Sequence, residues 1–148
     1  MNKHLALLII GLLVAWSPTL AQDIPQNRVP SVIVNRFKQD FPKAYDIEWK
    51  VKNNQYNVEF ETGIFTDHEI WYDTTGEIIR HEEEISHNEL PSPVTAKLDR
   101  DFNGFRIDDA KRITTSSTVD YSVELNSFTQ EWKIIFDKNG EISTQIAD

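Results

Sequence analysis

Carboxylates and histidines are the residues of this chain whose types and order could do chemistry. Glu59, Glu61, Glu69 and Glu83 fall in segments of alternating polar and apolar residues, and His81 falls beside them. Carboxylates next to an imidazole could hold a cation or move protons. Alternation places all five on one side of a sheet, where a solvated charged face is the commoner outcome. Spacing argues against anything more specific. His81 and His87 flank Glu82-Glu83-Glu84 and do not form the His-Glu-x-x-His pattern of a zinc site. His68, in phase with Ile70 and Tyr72, reads as a half-buried core position. The chain has no Cys and no Gly-x-Ser-x-Gly elbow, so nucleophilic catalysis lacks its usual carriers. Asp73-Thr74-Thr75-Gly76 lacks both the contiguous Asp-Thr-Gly of an aspartic protease and the alternate oxygen ligands and distant Glu of an EF-hand loop. No catalytic residue, metal site or cofactor is therefore expected.

Charge narrows the partners. The chain carries 24 Asp and Glu against 15 Lys and Arg, a formal charge of −9. Nucleic acid and anionic membrane surfaces demand basic patches, so neither is expected to bind. At the N-terminus, Lys3 precedes an apolar stretch over residues 5–16, and Thr19-Leu20-Ala21 is a small-residue cleavage site. The 12-residue stretch is too short to span a bilayer and is interrupted by Ser17 and Pro18. Residues 1–21 thus read as a cleaved signal peptide, giving a periplasmic or secreted protein without stable membrane insertion. Cleavage removes Lys3 and no acid, leaving 127 residues with 14 bases against 24 acids, a formal charge of −10. The absence of Cys excludes disulfides and lipid attachment at cysteine.

These side chains need a scaffold, and the scaffold is written twice. Residues 22–28 form a polar, flexible lead. From residue 29, Val29, Ile33, Phe37 and Phe41 mark one face of a helix that Pro30 can open and Pro42 must stop. The pattern returns 61 residues later, with Leu90-Pro91 opening it, Val94, Leu98 and Phe102 in the stripe, and Asn103-Gly104 closing it. After each helix the period shortens to two. Ile47, Trp49 and Val51 alternate with Glu48, Lys50 and Lys52, and Tyr56, Val58 and Phe60 with Asn57, Glu59 and Glu61, across an Asn53-Asn54 turn. Tyr121, Val123 and Leu125 repeat the second of these strands. Trp71-Tyr72-Asp73-Thr74-Thr75-Gly76-Glu77-Ile78 and Ile135-Phe136-Asp137-Lys138-Asn139-Gly140-Glu141-Ile142 are copies of one hairpin, each Gly taking positive φ after a type I turn.

The expected fold is α+β: two tandem αββββ units, residues 29–85 and 90–148 with 86–89 as linker, forming one antiparallel sheet of about eight strands with two helices packed on one face. Two copies of helix, aromatic-bearing strands and an Asp-x-x-Gly-Glu-Ile hairpin behind a signal peptide resemble the secreted PepSY-like, or beta-lactamase-inhibitor-like, family. The resemblance covers nearly all of the chain after the lead. It implies two PepSY-like repeats, a curved sheet whose concave face is free, and a non-enzymatic binding or inhibitory role toward a protein such as a peptidase or other exported enzyme. The inhibitor that lends the family its name is disulfide-stabilised and this chain has no Cys, so none of its contact residues is carried over.

If Ile70 and Tyr72 face the helices with Ile134 and Phe136, then Trp71 and Ile135 face the other way. Trp71 is the expected anchor of a binding surface there, with Glu59, Glu61 and Glu69 as a negative rim and Ile135 as its counterpart in the second unit. The alternative is that Trp71 packs across the sheet on Ile79 or under a loop. The leading function is an exported, monomeric, non-enzymatic binding protein that uses the open sheet face. The alternative is a periplasmic small-ligand or cation-binding module built on the acidic strand residues.

Overall fold

The computed structural model describes residues 21–147, so the export segment lies outside the described residues except for Ala21. The first helix, α1, runs Ser31–Asp40 and the second, α2, Ser92–Asp101. Pro30 and Pro91 precede them in extended conformation, and each helix buries one pair of apolar residues a turn apart, Ile33 with Phe37 and Val94 with Leu98. Both end where the amide of a Phe bonds back by one turn, Phe41 to Phe37 and Phe102 to Leu98. Pro42 follows the first end, and Gly104, with φ of 95°, follows the second.

Among the described residues, nine strands make a single antiparallel sheet in which every strand lies beside its neighbours in sequence. They are β1 (Gln22–Asp23), β2 (Tyr45–Lys52), β3 (Gln55–Thr62), β4 (Thr66–Tyr72), β5 (Ile78–Glu84), β6 (Arg106–Thr115), β7 (Val119–Asn126), β8 (Glu131–Asp137) and β9 (Ile142–Ala147). Eight of them follow the helices in two runs of four. The ninth, β1, falls within the lead, where Gln22 and Asp23 pair with Val51 and Lys50 of β2. Asn53 and Asn54 turn the β2–β3 hairpin with φ of 50° and 60°, the left-handed pair that a type I′ turn requires.

The two repeated hairpins explain their own spelling. Asp73 Oδ1 accepts from the amides of Thr75 and Glu77, and Asp137 Oδ1 accepts from those of Asn139 and Glu141. Gly76 and Gly140 follow with φ of 90° and 82°. Asp supplies the acceptor and Gly the left-handed residue, so the motif recurs wherever this turn does.

The core is two clusters. Ile33 and Phe37 pack on Trp49, Val58, Phe60, Ile70 and Tyr72, while Val94 and Leu98 pack on Ala110, Val123, Leu125, Ile134 and Phe136. Direct cross-strand partners share a face of the sheet. The row Phe60, His68, Glu83, Arg112, Tyr121, Phe136 runs through successive partners from one cluster to the other. Both helices therefore cover the same face, and among the described residues no helix covers the opposite one.

That register corrects three assignments made from alternation alone. Glu83 and His81 stand opposite His68 and Ile70, which places them on the helix-covered face rather than with Glu59, Glu61 and Glu69. The cause is a slip between Trp71 and Tyr72, where the hairpin's extra residue reverses the alternation of β5. Ile47, read as facing the helices, is 39% exposed, because a slip between Tyr45 and Glu48 and the left-handed Asp46 (φ 52°) break the edge strand there.

Candidate functional site: the open face of the sheet

On the uncovered face, the row beginning at Glu48 runs to Glu59, Glu69 and Glu82 through direct cross-strand partners. Four carboxylates thus stand abreast on four adjacent strands, and Ile113 ends the series on β6. Glu61 and its partner Asp67 add a second acidic row beside the first. Together with Asp46, these groups line a cavity of about 430 Å³ that Phe60, His68 and Lys111 also border, Lys111 being its one lysine or arginine.

Part of this charge is balanced locally. Lys50 pairs with Glu59, the Arg80 guanidinium with Glu82, and the Asn57 amide donates to Glu69 at 2.9 Å. Among the described residues, Asp46, Glu48, Glu61 and Asp67 have no ion-pair partner, and the buried Glu61 Oε2 has no hydrogen-bond donor. Burial raises the Glu69 carboxyl above its ordinary value, opposed by the Asn57 hydrogen bond and reinforced by Glu82 and Glu59. Lys111 records the same field from the other side. Burial alone would lower its ammonium, yet Asp109, Glu82 and Glu124 outweigh burial and raise it.

Trp71 lies on this face in the row Lys50, Asn57, Trp71, Arg80. Arg80, directly opposite, sets its guanidinium 5.8 Å from the ring centroid, and the indole is half-buried. Asn57, on Trp71's other side, is 5% exposed and also reaches the Ile70 carbonyl at 3.4 Å. Ile135 shares the face from the far half of the sheet, between Ser122 and Thr144. The structure thus brings Glu59, Glu61 and Glu69 together at one cavity, sets Trp71 one row away and leaves Ile135 four strands off. Sequence reasoning missed Glu82, Asp67 and Asp46. Glu82 was findable, since a Gly with positive φ closing a type I turn implies a one-residue bulge and so a reversal of alternation beyond it.

On the covered face, His68 Nδ1 and His81 Nε2 lie 3.1 Å apart with their rings stacked, and Thr62 Oγ1 is 2.7 Å from His68 Nε2. Phe41 and Phe60 pack around them. Burial lowers both imidazoles, and for His81 the neighbouring His68 lowers it further. Among the described residues, no group of three or more His, Asp or Glu is arranged to hold a metal ion.

Two helices on one face of an antiparallel sheet, with the other face open and acidic among the described residues, define an open-faced α+β sheet domain. The chain belongs to the PepSY-like, beta-lactamase-inhibitor-like family, whose model matches it twice, over residues 15–80 and 54–144. Several solved structures share the fold, among them the following three. A DUF2874 family protein from Bacteroides uniformis has a TM-score of 0.70 at 17% identity, over 80% of this chain and 88% of its own. A BLIP-like protein from Bacteroides fragilis has a TM-score of 0.64 at 19% identity, over 79% and 84%. A protein from Bacteroides eggerthii provisionally described as periplasmic has a TM-score of 0.71 at 16% identity, over 80% and 88%. At such identities the likeness is one of fold. No curated protein matches the chain significantly. Membership of this family suggests a non-enzymatic, exported binding domain. No helix among the described residues is long and apolar enough to cross a membrane.

Proposed function

We propose that this chain is an exported, non-enzymatic binding protein whose acidic open face takes a basic segment of another exported protein, such as a peptidase. The observation that carries the reading is the row Glu48, Glu59, Glu69, Glu82 at a cavity with a single lysine. Among the described residues, five of the cavity's carboxylates, Asp46, Glu48, Glu61, Asp67 and Glu69, have no ion-pair partner, and a Lys- or Arg-bearing segment would supply charge and donors together. Trp71 and Arg80 stand one row from the acids on the same face, where an aromatic ring adds contact area at little entropic cost. The family's inhibitor-like description supports a protein as the occupant, and the Lys3 and residue 5–16 segment supports export.

Calorimetric titration with a Lys- and Arg-rich peptide tests this, with an acidic peptide of equal length as control. Binding of the basic peptide alone is expected, weakening as salt rises. A Glu48→Gln/Glu69→Gln/Glu82→Gln variant should lose about tenfold or more in affinity. Equal behaviour of the two peptides would sink the proposal.

A further inference from the structure

The two edges of the sheet are treated differently. On one side β1 lies along β2, pairing at Val51 and Lys50, and the amide of Ile24 bonds the Trp49 carbonyl at 2.9 Å. Pro25 follows, and the slip between Tyr45 and Glu48 distorts the rest of that edge. A short charged strand, a proline and a bulge are three devices that keep an edge from pairing with another chain. The other edge has none of them along most of its length. Strand β9, Ile-Ser-Thr-Gln-Ile-Ala, contains no charge and no proline, and from Thr144 to Ala147 it is in regular register with β8. Among the described residues, nothing pairs with its outer side.

The chain itself shows what covers such an edge. Strand β5 follows the Asp73–Ile78 hairpin as β9 follows the Asp137–Ile142 hairpin, and both slip by one residue at the same step, beside Tyr72 and Phe136. Strand β5 is covered by β6 through five partners, Arg80 with Thr115 through Glu84 with Lys111. In the first half of the chain, the strand in the position of β6 is β2, where β1 already occupies Lys50 and Val51, the counterparts of Lys111 and Arg112. Head-to-tail addition of a second copy, β2 onto β9, is therefore blocked. What remains is β9 against itself, an isologous contact that closes on two copies.

We propose that β9 pairs antiparallel with β9 of a second copy across a two-fold axis, making a dimer with one continuous sheet. Its side chains permit this because the strand is neutral: Thr144, Gln145, Ile146 and Ala147 hold the places that Arg80, His81, Glu82 and Glu83 hold in β5. Two copies with a formal charge of −9 each repel, and a neutral edge is where they can approach without like charges directly opposed. Ile146, 53% exposed, would gain cover from the added strand. The proposed dimer is an alternative to the monomer expected from the sequence, and it is independent of what the acidic face binds.

Light scattering and sedimentation of the purified chain over a dilution series test the proposal. Twice the chain mass is expected at high concentration, falling toward the monomer on dilution. A Thr144→Lys/Gln145→Lys variant should stay monomeric throughout, while Gln22→Lys on the opposite edge should not change the dimer. Because the chain has no cysteine, Thr144→Cys and Gln145→Cys give a second readout that does not depend on the lysine variant folding. At least one should form a disulfide-linked dimer on mild oxidation, and Ser117→Cys in the β6–β7 turn should not. A monomer at every concentration, a dimer indifferent to the lysines, or no cross-link from either β9 cysteine would overturn it.

Discussion

Gly140 lies against the carbonyl of Pro93 so closely that a Cβ built on it would stand 2.6 Å from the oxygen. The second repeated hairpin thus rests directly on the first turn of α2. Its counterpart Gly76 rests on α1 more loosely, with the nearest atom, Val32 Cγ2, at 3.4 Å.

The difference predicts unequal costs for one substitution at two matching turns. Gly76→Ala should lose about 1–2 kcal/mol, the penalty of a left-handed conformation. Gly140→Ala pays that and must also push a backbone carbonyl aside, adding about 1–3 kcal/mol. Urea unfolding of both variants measures the gap. Equal losses would show that the hairpin–helix contact plays no part.

Trp71 and Trp49 should respond in opposite ways to truncation. Trp49 is 4% exposed and meets the Phe37 ring edge-on at 5.4 Å, so Trp49→Ala should cost about 3–5 kcal/mol of stability. Trp71, half-buried beneath Arg80 on the open face, should lose little in melting temperature when changed to Ala. Capture of a basic partner should weaken by about 2 kcal/mol if the ring is an anchor of that surface. A Trp71→Ala chain that fails to fold would show the ring to be structural.

The His68–His81 pair predicts how stability responds to acid. Both imidazoles are lowered by burial, with His68 adding to the effect on His81, while Glu83 and Asp67 favour the charged form of His68 and Arg112 opposes that of His81. Between the folded values and the ordinary 6.5, the unfolded chain binds more protons. Their contribution is therefore complete above about pH 6.5 and is lost as pH falls through the folded values. Thermal melts at pH 8 and about pH 5.5 should show a larger drop for the parent chain than for His81→Gln, whose remaining imidazole no longer faces a second one. Equal drops would locate the acid response elsewhere, for instance in carboxylates. Glu69 cannot mimic it, since a raised carboxyl stabilises the fold as pH falls.

Much of this protein is decided locally and was legible in the residues. Pro30, Pro42, Leu90-Pro91 and Gly104 bound two helices whose apolar stripes are short and regular. The two Asp-x-x-Gly-Glu-Ile segments specify their hairpin by a side-chain acceptor and a left-handed glycine a few residues apart. Within a single strand alternation is rigid, so the sides taken by Glu59, Glu61, Glu69 and Trp71 followed from Val58, Phe60, Ile70 and Tyr72 without a structure.

What alternation does not carry is parity across a hairpin. One residue inserted beside Trp71 turned His81 and Glu83 toward the helices and brought Glu82 into line with Glu48, Glu59 and Glu69. The same kind of slip at Tyr45–Glu48 sent Ile47 outward. A bulge is settled by which residues on two strands come to oppose one another, and that pairing exists only once the sheet has formed. The burial of Asn57 between Lys50 and Trp71, the contact between Arg80 and Trp71, and the pairing of β1 with β2 all belong to the same category. Each depends on neighbours that the chain brings close in space and holds far apart in order, so the sequence determined which residues could line the open face, and the tertiary structure decided which of them meet there.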